Sequence, residues 1–142
     1  MKAKELMIGD WVCVTKNFTQ KYHKIRALSN DEGSVLRGIY VNEYGVKNHS
    51  IFSPNDTEPI PLTPEILEKN GFENIGDDTY QLEENPCWFW VDFFNHQYGC
   101  EYDTSTHEYE DDEHRLKLYG IPSVHELQHA LRLCGIEKEI EL

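Results

Sequence analysis

One string in the chain has the residue types and the spacing of a catalytic zinc site. It is the motif H-E-x-x-H, formed by His125, Glu126 and His129. On a helix, two histidines four residues apart lie on one face and can bind the same Zn²⁺ ion. The glutamate between them can act as general base on the metal-bound water. The motif therefore raises the hypothesis of a zinc-dependent hydrolase.

The residues that follow the motif do not supply a third protein ligand, which catalytic zinc needs beside an open fourth position. Only 13 residues follow His129, too few for another helix that would carry a ligand. Arg132 and Gly135 stand where the metzincin extension of the motif requires Gly and His. The sequence therefore predicts no catalytic residue, no metal site and no cofactor. A zinc hydrolase using His125, Glu126 and His129 is retained as an alternative.

The same segment has the pattern of a capped amphipathic helix. Ser123 and Glu126 form an S-x-x-E capping box, in which the glutamate side chain bonds back to the backbone N–H of the serine. Apolar and polar positions fall on opposite faces, which predicts a surface helix with a polar outer side. The predicted inner face comprises Val124, Leu127, Leu131 and Cys134, and the predicted outer face comprises His125, Gln128, His129 and Arg132.

The most apolar stretch of the chain, Trp88–Phe94, predicts a central strand because both of its faces are largely apolar. Phe89 and Val91 lie on one face of that strand, and Trp88 and Trp90 lie on the other. We expect the C-terminal helix to cover one side. Burial in the core is the favoured interpretation of the two tryptophans. The alternative is an aromatic platform on which Trp88 and Trp90 stack a base or a nucleotide.

The charge of the chain, formally −13, is unevenly distributed. Residues 1–60 carry 8 Lys and Arg against 7 Asp and Glu, a net of +1, whereas residues 61–142 carry 5 against 19, a net of −14. The acidic half repels a phosphate backbone, so we expect no nucleic-acid binding there. Solubility is the favoured explanation of this asymmetry. The sharper explanations are a surface that binds a basic protein partner and a surface that mimics nucleic acid.

The composition, 39% hydrophobic and 12% aromatic, is that of a folded globular protein. The longest wholly apolar run, residues 87–91, is far too short to span a membrane, and the N-terminal segment has no apolar signal region. The four cysteines show no C-x-x-C spacing and are interpreted as reduced thiols. The acidic run at residues 108–113 lacks the oxygen spacing of a calcium loop. We expect a cytoplasmic protein without a membrane partner.

Residues 1–58 predict a small β lobe. Its short strands and close turns favour a small twisted sheet or barrel, and the Gly9-Asp10 turn ahead of the first strand is similar to those of Src-homology-3-like barrels. The predicted strands are Trp11–Thr15, Tyr22–Leu28, Val35–Val41 and Val46–Phe52.

Residues 59–142 predict an acidic α+β lobe, which could share one core with the first. The proline-rich connector Pro54–Pro64 marks the boundary. Thr63 as N-cap and Pro64 at the first position start a helix that ends at Gly71. The predicted fold class is therefore α+β: a small N-terminal β-sheet or barrel, followed by an antiparallel sheet with two short helices.

Three segments together resemble a group of small proteins, of no established function, that are encoded by gut bacteria, their prophages and phages. The group typically reads E-L-x-I-G-N-x-V, then P-I-P-L-T-x-E-x-L-x-x-x-G-F, then V-H-x-L-Q-x-L. The chain departs from it at Asp10, where Asn is usual, and in the acidic insertion at 108–114. The resemblance implies a mobile-element setting but no reaction, since the last segment requires neither Glu126 nor His129. The matching segments are Glu5–Val12, Pro59–Phe72, and Val124–Leu131 together with Gly135.

These observations predict a non-catalytic accessory or interaction protein of a phage or other mobile genetic element, with a protein partner that carries basic charge. One alternative is an inhibitor of host defence that mimics nucleic acid or sequesters a nucleotide. The other is the zinc hydrolase.

Overall fold

The structure is a computed structural model. The chain divides into two compact units: unit 1, Met1–Pro61, and unit 2, Leu62–Leu142. The predicted α+β class is confirmed, because the described part of each unit has a five-stranded antiparallel sheet and the helices are short. The lobe boundary predicted after residue 58 lies slightly before the observed division. The acidic run at 108–113 falls outside the described residues, which are 6–16, 19–29, 35–41, 44–84, 86–102 and 115–142.

Unit 1 is built on an antiparallel meander of four strands, to which a short fifth strand adds beside the first. The resulting order is β4-β3-β2-β1-β5. A 3-10 helix, Pro54–Asp56, leads into the fifth strand. The similarity to Src-homology-3-like barrels stays a prediction. The strands are β1 (Trp11–Lys16), β2 (Thr19–Ser29), β3 (Val35–Val41), β4 (Lys47–Phe52) and β5 (Thr57–Glu58).

Alternation along these strands gives unit 1 its own core, because every second side chain of a strand points to the same face. The turn before β1 is fixed by a fully buried carboxylate. Asp10 Oδ2 accepts the backbone N–H of Met7 at 2.7 Å, and the Asp10 carbonyl accepts the N–H of Ile25 at 2.9 Å. The buried core residues are Leu6, Val12, Val14, Ile25, Leu36 and Phe52.

Unit 2 is a second meander, with one helix before its sheet and one after it. Its strand order, β10-β9-β8-β7-β6, follows the chain, so each strand pairs with its sequence neighbours. No helix among the described residues is long and apolar enough to cross a membrane. The elements are α1 (Pro64–Lys69), β6 (Glu73–Gly76), β7 (Thr79–Glu84), β8 (Cys87–Asp92), β9 (Gln97–Tyr102), β10 (Arg115–Tyr119) and α2 (Val124–Leu133).

Helix α1 begins and ends where the sequence predicts. Thr63 is the N-cap and its Oγ1 accepts the N–H of Ile66 at 3.4 Å, while Pro64 occupies the first position. Gly71 follows the C-cap with φ +80°, a conformation that glycine adopts without a steric penalty. The buried C-cap Asn70 also bonds both backbone groups of Glu141 at 2.8 Å, which fastens the C-terminal segment to the helix.

The core of unit 2 lies between one face of the sheet and helix α2. Cys87, Phe89 and Val91 of the central strand β8 are buried, and Trp88 and Trp90 between them are partly exposed on the opposite face. The predicted central strand is therefore confirmed, and the helix covers the Phe89 side. Contacts between β9 and the end of α2 show this arrangement, since the Tyr102 hydroxyl donates to the Cys134 carbonyl at 3.1 Å.

Candidate functional site

The H-E-x-x-H motif occupies the first turns of helix α2, as the capping pattern predicts. The rings of His125 and His129 lie at right angles, with centroids 5.8 Å apart. The two imidazoles are therefore neighbours on one side of the helix, as the i and i+4 spacing requires.

The capping box predicted from Ser123 and Glu126 is present. Glu126 Oε2 accepts the Ser123 backbone N–H at 2.7 Å and the Ser123 hydroxyl at 2.8 Å. Burial raises the pKa of the Glu126 carboxyl, but these bonds, with His125 and His129 nearby, outweigh burial and hold the pKa below its usual range. The carboxylate that a zinc hydrolase would use as general base is thus committed to the helix N-terminus.

The outer side of α2 differs from the prediction of a uniformly polar surface. His125 is buried and Gln128 is fully buried, whereas Leu133, an apolar residue, is 80% exposed. Buried polar side chains require hydrogen-bond partners, and His125 Nδ1 has one in the Ser123 hydroxyl at 2.8 Å. The sequence pattern assigns polar residues to the solvent-facing side of a helix. It cannot show that a polar side chain is buried and hydrogen-bonded in the interior, so it assigned His125 and Gln128 to the wrong side.

Within the described part of the chain, no group of three or more His, Cys, Asp or Glu side chains is arranged to hold a metal ion. His125 and His129 therefore have no third protein ligand among these residues. The zinc hydrolase stays a hypothesis. Glu126 and Ser123 form the capping box of α2, the helix that carries the two histidines.

A second candidate surface lies on the side of the unit 2 sheet away from α2. Residues directly opposite each other in antiparallel strands point to the same side. Glu83 and Glu101 lie opposite Trp88, one on each neighbouring strand, and Gly99 lies opposite Trp90. The two tryptophans, predicted to be core or platform, are both partly exposed here. We call this surface the tryptophan face, which includes Gln81, Glu83, Trp88, Trp90, Asp92, Gly99, Glu101, Lys117 and, by strand register, Arg115 opposite Glu101.

The tryptophan face is acidic at the position of Trp88. Glu83 and Glu101 are exposed and flank the indole, and the basic positions on the face are Lys117 and, opposite Glu101, Arg115. Asp92 belongs to the same face and accepts the Asn95 N–H at 2.8 Å, which closes the turn between β8 and β9. The sequence did not single out the two glutamates because their proximity to Trp88 depends on the pairing register of three strands.

The third feature, also missed from the sequence, is a group of three thiols inside unit 2. Cys134 at the C-cap of α2 contacts Cys100 of β9, with Sγ atoms 2.7 Å apart, and Cys87 of β8 adjoins the same group. All three are buried free thiols. Their spacing of 13 and 34 residues has no motif, and only the β8–β9 register and the end of α2 bring them together.

The residues that carry the resemblance to mobile-element proteins lie at caps, turns and core positions. Gly9 has φ +96° in the turn that Asp10 closes, and Gly135 ends α2 with φ +74°. Leu127 and Leu131 are fully buried. These positions therefore serve the local structure of the chain.

Comparisons with protein-family models, with curated proteins and with solved structures give no match for this chain.

Proposed function

We propose that this chain is a non-catalytic accessory protein of a phage or other mobile genetic element, and that it binds a basic segment of a protein partner on the tryptophan face. The observation that carries the proposal is the row Glu83–Trp88–Glu101, in which a partly exposed indole lies between two exposed carboxylates. The mobile-element setting rests on the resemblance of the three sequence segments.

The chemistry of the row favours arginine or lysine. A guanidinium or ammonium group over an indole ring gains about 0.5–2 kcal/mol, and the negative charge of the flanking carboxylates favours a cation at this position. The net charge of −14 on residues 61–142 attracts such a partner from a distance.

The same charges disfavour nucleotide sequestration at the two tryptophans. If a nucleotide base stacked on Trp88, its phosphate would lie near the carboxylates of Glu83 and Glu101. The negative charges would repel each other. The acidic mimic of nucleic acid remains the second candidate, supported by the overall charge. It differs from the proposal because its affinity is spread over many carboxylates and does not depend on Trp88.

Binding of a hexa-arginine peptide, measured by calorimetry and by tryptophan fluorescence, tests the proposal. We expect the double variant Glu83→Gln/Glu101→Gln to raise the Kd by about tenfold, and Trp88→Ala to raise it by about the same factor. Glutamine matches glutamate in size, so the double variant changes charge and little else.

Glu84→Gln is the matched control, since Glu84 is an exposed neighbour of Glu83 that points away from the tryptophan face. It should leave the Kd within about twofold, because screened charges off the contact contribute little. If Glu84→Gln raised the Kd as much as the double variant did, and Trp88→Ala left the Kd unchanged, binding would depend on overall charge. That result would favour the acidic mimic. Absence of hexa-arginine binding by the wild type would reject the proposal.

The zinc alternative is tested by elemental mass spectrometry on tag-free protein, with His125→Ala/His129→Ala beside the wild type. We expect no stoichiometric zinc in either, because Glu126 is bonded to Ser123 and the described residues give the histidines no third ligand. Near one zinc per chain, lost in the double variant, would contradict this expectation and identify a metal site.

A further inference from the structure

Three cysteines from separate elements meet in the interior of unit 2. Cys87 is on β8, Cys100 is on β9, and Cys134 is the C-cap of α2. Their side chains are at most 5% exposed. Cys100 and Cys134 are in direct contact, with Sγ atoms 2.7 Å apart.

This separation distinguishes between a metal site and a disulfide. Two thiolates on one tetrahedral zinc ion are about 3.7 Å apart, because each Zn–S bond is about 2.3 Å. The two sulfur atoms of a disulfide are about 2.05 Å apart. The Cys100–Cys134 distance of 2.7 Å is too short for shared metal ligation and is closer to that of the bond. The pair is thus placed for direct oxidation.

The thiols are reached through a cavity that belongs wholly to unit 2. It measures about 500 Å³, and its lining includes Cys87, Tyr102, Cys134 and Glu84. Cys100 lies behind Cys134 and is not part of the lining. A small reagent that enters the cavity therefore meets Cys134 before it meets Cys100.

We propose that Cys100 and Cys134 are a redox modification site, which a low-molecular-weight disulfide converts to a reversible intramolecular disulfide. The Cys134 thiolate attacks one sulfur of the reagent RSSR, forms a Cys134–S–S–R mixed disulfide and releases RS⁻. The Cys100 thiolate then attacks Cys134 Sγ and expels the second RS⁻. The two protons lost by the cysteines end on two RSH molecules, so the protein is oxidised by two electrons and the reagent is reduced by two.

The surroundings of the thiols keep the reaction slow at neutral pH. Burial, and then the contact with Cys100, raise the pKa of Cys134 well above the usual range. Burial and the neighbouring Cys100 raise the pKa of Cys87 to about 11. Because only the thiolate attacks a disulfide, oxidation requires a sustained supply of reagent or alkaline conditions.

The test uses the full chain in native buffer at about pH 8.5, with 2-hydroxyethyl disulfide as the oxidant. We expect two of the four thiols to disappear on titration after denaturation, with a mass loss of about 2 Da. A non-reducing peptide map should contain a Cys100–Cys134 linked peptide, and dithiothreitol should restore all four thiols. The map identifies the bond in the wild type, so the result does not depend on a variant that could fail to fold.

Cys13→Ser is the matched control, since Cys13 is a buried thiol of unit 1. This variant should form the linked peptide as the wild type does, whereas Cys134→Ser should form none. Four retained thiols in the native protein would overturn the proposal. A bond from Cys87, or only mixed disulfides with the reagent, would overturn it equally.

Discussion

Replacing Phe89 with alanine should destabilise unit 2 by about 4 kcal/mol, a large part of the 5–15 kcal/mol that typically holds a domain folded. Phe89 lies on the central strand of the sheet and is fully buried. Its ring meets Phe72 edge-to-face with centroids 6.5 Å apart, and it meets Tyr98 at the same distance. Truncation therefore leaves a cavity bounded by two aromatic rings and removes their contacts together.

Urea unfolding followed by near-ultraviolet circular dichroism measures this effect. Phe94→Ala is the matched control, because Phe94 follows the same strand and is 73% exposed. The control should change the unfolding free energy by less than about 0.5 kcal/mol. A midpoint for Phe89→Ala that matches that of Phe94→Ala would show that the core is not where the sheet and α2 place it.

Replacing Gly99 with alanine should cost about 3 kcal/mol, although the change adds a single methyl group. A Cβ atom at this position would overlap the carbonyl oxygen of Leu116 and would lie 2.9 Å from its carbonyl carbon. Both atoms belong to the backbone of β10, so strand β10 must move away from β9 to make room. Such a shift weakens the hydrogen bonds between the two strands.

Gly38→Ala in unit 1 gives the comparison. There the added Cβ would meet the ring of Phe52 at 2.8 Å, and a side chain can rotate where a backbone cannot. We expect the Gly38 variant to lose less stability than the Gly99 variant in thermal unfolding, each referred to the transition of its own unit. A smaller loss for Gly99→Ala would mean that β9 and β10 are not in close contact.

The sequence predicts most strongly those elements whose hydrophobic pattern or capping residues agree with their final surroundings. The Trp88–Phe94 stretch predicts a central strand, and β8 is one, ending two residues earlier at Asp92. Thr63, Pro64 and Gly71 delimit α1 because caps act locally. The two edge strands of unit 2, β6 and β10, were not predicted.

These two misses have different physical reasons. Strand β6 is exposed at every position and therefore has no alternation of apolar and polar residues that could reveal it. Strand β10 does alternate, with Leu116 and Leu118 between polar residues, but it directly follows the acidic run. Its alternation of apolar and polar residues, with a period of two, is the sequence signal of this strand.

The candidate surfaces were predicted only in part. Trp88 and Trp90 were identified as a candidate platform from their types, but the flanking glutamates and the three thiols depend on strand register. Residues distant in the sequence become neighbours through pairing, and no local pattern encodes that proximity. The burial of His125 and Gln128 was missed because a helical pattern assigns sides by polarity and does not show which side other elements cover.

The meander order of both sheets also has a consequence for the rate at which the chain folds. Among the described strands, each strand of unit 2 pairs with the one before it, and only the pairing of β1 with β5 in unit 1 joins distant strands. Short loops close at little entropic cost, and a topology of local contacts shortens the search for the folded state. Unit 2 can therefore assemble hairpin by hairpin as it leaves the ribosome, whereas unit 1 must wait for β5 before its sheet is complete.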